Sequence, residues 1–127
     1  MKYLLVLVML IASPAWAEWT PVDDNDKFVL YIDKETIRQN GNFVKMWGLT
    51  DFKTVQNFIG KSYLSHKSQD EYDCKEERRR LLAFSLFSGK MGNRTVVHSD
   101  SSDAGKWTPI EPVSIGEKMW KIACGKK

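Results

Sequence analysis

The chain has 127 residues, of which 28% are charged, with 19 Lys and Arg against 16 Asp and Glu. That length suits one domain with a single core. The formal net charge of +3 is small and evenly mixed, so it gives no electrostatic case for a nucleic-acid partner.

The first element is a leader. Lys2 is followed by the apolar run YLLVLVMLIA from Tyr3 to Ala12, then Ser13-Pro14 and Ala15-Trp16-Ala17. This is the charge, apolar stretch and small-x-small ending of a cleavable signal peptide over residues 1–17, cut between Ala17 and Glu18. A membrane-spanning helix needs about 20 apolar residues, twice what this run supplies. No cysteine stands beside the cut to carry a lipid, so a membrane anchor is not expected. Residues 18–127 are expected to form one exported domain, periplasmic or secreted, soluble after cleavage.

The two cysteines, Cys74 and Cys124, lie in that exported part. Two thiols in an oxidising compartment usually pair. They are too far apart for a C-x-x-C redox motif, and a metal site could add only His66 and His98. The reading is a structural disulfide, with no metal and no cofactor.

Phe28–Ile32 is apolar and rich in strand formers. Asp33–Arg38 with Asn40-Gly41 reads as a turn region. Asn42–Phe52 reads as a strand with Val44 and Met46 on one face and Phe43, Trp47 and Leu49 on the other. Lys61–Cys74 is polar and suits a long, partly exposed strand. Glu76–Ala83 has helix composition, yet Leu82, Phe84 and Leu86 alternate, which favours a strand. Ser88–Asn93 (SGKMGN) reads as a hairpin connection, Arg94–His98 as the returning strand, and Asp100–Gly105 as a polar loop. Ser114 and Glu117 form a capping box before Met119, Trp120, Ile122 and Ala123, which recur at helical spacing, and Gly125 stops the helix. The fold class is α+β, an antiparallel sheet with a C-terminal helix tethered to it by one disulfide.

Enzymatic signatures are missing from the sequence. Ser65 and Ser99 lie near His66 and His98, but neither serine is flanked by nucleophile-elbow glycines. Glu76/Glu77 and Asp23/Asp24 sit in solvated stretches, and neighbours on a strand point to opposite sides. Ser88-Gly89-Lys90 lacks the upstream glycine of a phosphate loop. The basic residues Lys61, Lys67, Arg78 and Arg80 are the candidate ligand-binding set, since arginine forks suit carboxylates, phosphates and anionic sugars. Glu71, Asp73, Glu76 and Glu77 are placed to neutralise part of it.

The ordered set Trp19, Tyr31-Ile32-Asp33, Thr36-Ile37-Arg38, Lys45-Met46-Trp47, Glu71-Tyr72-Asp73-Cys74, Arg78, Ser88–Gly92, Trp107-Thr108-Pro109, Ser114-Ile115-Gly116 and Cys124 resembles the surface-adhesin protein E-like family of exported proteobacterial proteins. The resemblance covers nearly all of residues 19–125. It implies an antiparallel sheet with a C-terminal helix tethered by Cys74–Cys124, and a strand for Arg78–Phe87. It also implies adhesion to host matrix or serum proteins. The basic strand region around Lys61 maps onto the family's adhesive face.

Three functions follow as expectations. The first is a non-enzymatic binding module that recognises a protein or glycan partner, host or cell-envelope, through a sheet face or edge. The second is an inhibitor of a periplasmic lysozyme or hydrolase, with SGKMG entering the cleft. The third is an envelope enzyme, which requires His66 and His98 to line one pocket.

Overall fold

The computed structural model describes residues 18–101 and 105–127. The signal-peptide reading falls on residues outside that range. Among the described residues the chain builds one antiparallel sheet: β1 (Trp19–Asp24), β2 (Phe28–Asn40), β3 (Phe43–Phe58), β4 (Lys61–Asp73), β5 (Arg78–Phe87), β6 (Val96–Ser101) and β7 (Thr108–Pro109). The first six lie in chain order across the sheet, and β7 pairs with Arg78 and Arg79 of β5. The sheet outweighs the one α-helix among the described residues, α1 (Ile115–Cys124), and a one-turn 3-10 helix at Lys90–Gly92, so the α+β fold is a sheet with one appended α-helix.

Alternation decides which face meets the helix. Leu30 and Ile32 of β2, Val44 and Met46 of β3 and Tyr72 of β4 pack against Met119, Trp120 and Ala123 of α1. Trp120 Nε1 donates to the Asp73 carbonyl at 2.9 Å. Cys124, on the last helical turn, is bridged to Cys74, just past the end of β4, with Cα atoms 5.6 Å apart. The helix starts as expected, with Ser114 Oγ accepting from the Glu117 amide at 3.0 Å. Glu117 does not reach back to the cap; it turns to Lys121, 3.6 Å away. Gly125 ends the helix in the left-handed region at φ +66.

The sheet is curved enough to wrap the helix. A register shift occurs in each consecutive strand pair, and such bulges bend strands and raise their twist. A carbon added at Gly116 would lie 3.5 Å from the Arg79 guanidinium carbon on β5. Two residues on, Lys118 Nζ donates to the Val22 carbonyl on β1 at 3.0 Å.

Two local readings change. Asp33–Arg38 is not a separate turn but an irregular stretch inside β2. Thr36 Oγ1 donates to the Asp33 carbonyl at 2.6 Å and accepts from the Trp47 amide at 3.2 Å, so a side chain replaces the missing ladder bond. Lys61–Asp73 is the long strand expected, but an inner one that reaches the core. It lies between β3 and β5, and Ser65, Glu71, Tyr72 and Asp73 are buried.

The β3–β4 hairpin turns at Ile59 and Gly60, both at positive φ (+48 and +74), which is the two-residue hairpin geometry that Asn-Gly fits best. A β-branched residue is strained there, and Ile59 is 82% exposed, so its side chain gains little from packing. Ile59→Asn is expected to raise stability by about 1 kcal/mol. A urea midpoint that stays put or falls contradicts this.

Candidate functional site

The two sheet faces differ in what covers them. One carries α1. On the other, residues directly opposite one another across the ladder form rows: Lys45–Glu71–Arg80, Phe43–Asp73–Arg78 and Leu49–Lys67–Ser85. Arg78 Nε donates to Asp73 Oδ2 at 2.9 Å, and Arg80 Nη2 lies 2.6 Å from Glu71 Oε1. Burial pushes the Asp73 carboxyl up, but bonds from the Glu76 amide, Arg78 and the Lys75 amide outweigh it and hold it below the usual carboxylate range. Both arginines are therefore held by carboxylates of the neighbouring strand.

Trp107 lies over them. Its ring centroid is 4.6 Å from Arg78 Cζ and 4.4 Å from Arg80 Cζ, and Phe43 stacks at 5.7 Å. Gly105 makes this approach possible, since a Cβ there would fall 2.0 Å from the Leu81 carbonyl oxygen. Beside this group a depression of about 220 Å³ is lined by Lys45, Gln69, Arg80 and Ser101 together with Glu71, Leu82 and Ala83. Further along the same face, Lys67 Nζ sits 5.8 Å from the Trp19 ring and 5.5 Å from the Phe87 ring.

Arg78, Arg80 and Lys67 thus share a face. Lys61 does not join them. It opens β4 at the hairpin, opposite Phe58, whereas Arg78 pairs with Asp73 at the strand's other end. The intervening strand spans about 40 Å at 3.3 Å per residue. Lys67 stands between the two ends.

The SGKMG segment is folded down on this face as well. Ser65 Oγ donates to the Gly89 carbonyl at 2.6 Å and accepts from the Gly92 amide at 2.9 Å. Asp51 Oδ1 accepts from the Met91 amide at 2.9 Å, and Lys90 Nζ donates to the Phe52 carbonyl at 2.7 Å. A loop expected to project into a cleft is instead pinned at both ends and in the middle.

The opposite face holds a cavity of about 380 Å³ between α1 and the sheet. His66 lines it, and burial lowers that imidazole's pKa. His98 lies beyond Phe84, whose ring is 5.9 Å from His66 and 5.6 Å from His98. The two histidines flank a phenylalanine and do not line one pocket.

A model of the surface-adhesin protein E family matches residues 19–125. The chain belongs to that family. Protein E of Haemophilus influenzae, in its second crystal form, is similar with a TM-score of 0.61 at 12% identity, covering 83% of this chain and 92% of that one. The selenomethionine form of protein E gives 0.58 at 13% identity, covering 84% and 92%. Protein E from non-typeable Haemophilus influenzae gives 0.56 at 13%, covering 83% and 80%. At these identities the likeness shows the fold. No curated protein sequence matches the chain. Family membership makes this an adhesin-like surface protein and implies export, and no described helix is long and apolar enough to cross a membrane.

Sequence reasoning placed the arginines of this protein E relative on a strand but missed their partner. Trp107 follows a polar stretch, expected as a loop over Asp100–Gly105, of which Asp100 and Ser101 belong to β6 and residues 102–104 lie outside the described residues, and no periodicity ties it to β5. Missed too was the row His66, Ser68, Asp70 and Tyr72, visible as every second residue of β4 once that strand is known to be an inner one.

Proposed function

We propose that the chain is an exported, non-enzymatic adhesin-like module that recognises a protein or glycan partner through its helix-free face. One observation carries the reading: Trp107 stacks on Arg78 and Arg80 on the face that α1 does not cover. Tryptophan and arginine are the residue types that most often dominate recognition surfaces, and arginine forks suit carboxylates and sulfated or phosphorylated sugars. Lys67, held between two rings, extends the cationic line along β4. Lys61 would add a contact only for a partner long enough to reach the hairpin.

The partner is a host matrix or serum protein or a cell-envelope component, met in the periplasm or outside the cell. The test is surface-immobilised protein of residues 18–127 exposed to a panel of matrix proteins, serum proteins and envelope glycans. Saturable binding at micromolar concentration or below, weakened by added salt, is the expected outcome. Absence of any saturable partner across the panel overturns the proposal.

A further inference from the structure

On the helix side, β4 breaks the pattern of the face it belongs to. Its neighbours place Leu30, Ile32, Val44 and Met46 there, as a buried sheet face requires. An inner strand contributing His66, Ser68, Asp70 and Tyr72 to the same face departs from that rule, and such departures tend to mark function. α1 closes over Tyr72 and leaves the rest of the row facing the cavity of about 380 Å³, within the small-ligand range. Gly48 opens the floor, for a Cβ there would stand 3.3 Å from Met119 Cε.

The carboxylate inside is under-satisfied. Asp70 Oδ1 is fully buried and has no hydrogen-bond partner. Asp70 Oδ2 lies 3.6 Å from Arg79 Nη1, too long for a hydrogen-bonded pair. A buried acceptor left unpaired is costly. The site therefore offers one negative and one positive group side by side, over an apolar wall of Leu30, Met46 and Met119.

We propose that this cavity binds a zwitterionic α-amino acid with an apolar side chain, its ammonium on Asp70, its carboxylate on Arg79 and its side chain against Leu30, Met46 and Met119. Lys106 stands at the rim and favours the carboxylate end. Asp70 and Arg79 lie on the sheet face opposite Glu71 and Arg80, so the site meets the Trp107 group only at its rim, through Arg80, and does not depend on the adhesive reading.

A pH dependence follows. Burial pushes the Asp70 carboxyl up to about 6, against the pull of Arg79. The other titratable or charged groups around it are Tyr72, held neutral by burial, His66, whose pKa burial lowers, Lys106, and Arg80, which is paired with Glu71. β3 and α1 bring Met46, Ile115 and Met119, which carry no charge. Holding an ammonium requires the ionised carboxylate, so binding strengthens as pH rises through about 6.

Calorimetric titration of L-leucine into the whole domain tests the proposal. Saturable binding is expected at pH 7.5 and about tenfold weaker at pH 5. N-acetyl-leucine, which lacks the ammonium, and Asp70→Asn are each expected to lose at least tenfold. Asp70→Asn should melt at the same temperature or higher, since it removes a buried charge; a role in folding alone would lower it. In wild-type protein the leucine-induced amide shifts should map to Gly48, Ser68 and Asp70, a readout that needs no variant. No saturable binding of leucine, methionine or phenylalanine overturns the proposal. So does equal binding of N-acetyl-leucine, or tighter binding at pH 5, which would mark a plain anion site on Arg79.

Discussion

Replacing Cys74 and Cys124 together by alanine is expected to cost about 4 kcal/mol of folding stability. The bridge closes a separation of 50 residues, and freeing that loop enlarges the unfolded ensemble. The native side of the balance suffers too. α1 has ten residues, too few to persist alone in water. It is held by Met119, Trp120 and Ala123 in the core, by the Trp120–Asp73 bond and by the bridge. Urea denaturation of the double variant against wild type measures the loss. A difference below about 1 kcal/mol would mean that packing alone holds the helix and that the tether is incidental.

Trp107→Ala is expected to weaken the partner at least about 30-fold, roughly 2 kcal/mol. The ring bridges the two arginines and Phe43, so its removal takes away the central apolar contact and the stacking partner of both guanidinium groups. Arg78 and Arg80 keep their carboxylates, so folding should change much less than binding. Arg80→Ala is a poorer probe because it strands Glu71, which is only 8% exposed. Lys61→Ala, at the far hairpin, should change affinity less than threefold if recognition is confined to the Arg78 end. An affinity loss for Lys61→Ala that equals that of Trp107→Ala would place the contact along the whole of β4.

The fold was largely legible because its cues are local. The capping residue Ser114, the stripe Met119–Trp120–Ile122–Ala123 and the stop at Gly125 each act within one helical turn. Alternation in Phe43–Leu49 and in Leu82–Leu86 is likewise a nearest-neighbour signal. β4 was misjudged because its outward row is charged and its helix-side row is polar. No period marks it as an inner strand; only pairing on both edges does. The arginines could be placed on a strand, but their environment could not be read. Glu71 and Asp73 neutralise them from the next strand, and Trp107 reaches them from a segment far along the chain. Asp70 and Arg79 are separated in sequence by a turn and meet only through the β4–β5 register, shifted between Gln69 and Asp70. Site chemistry made of such long-range contacts is fixed by packing, which a linear pattern does not carry.

The two faces carry distinct proposals. The helix-free face is a surface of fixed arginines, a stacked tryptophan and a lysine between rings, suited to an extended anionic partner. The helix side is a core interrupted by a charged cavity, suited to a small ligand. The most direct test of the adhesive account is amide hydrogen exchange of the domain with and without the tightest partner from the panel. Protection is expected in Phe43–Trp47, in Arg78–Ala83 and at Trp107. Protection confined to α1 or to the sheet edges β1 and β6, with these segments unchanged, would contradict it.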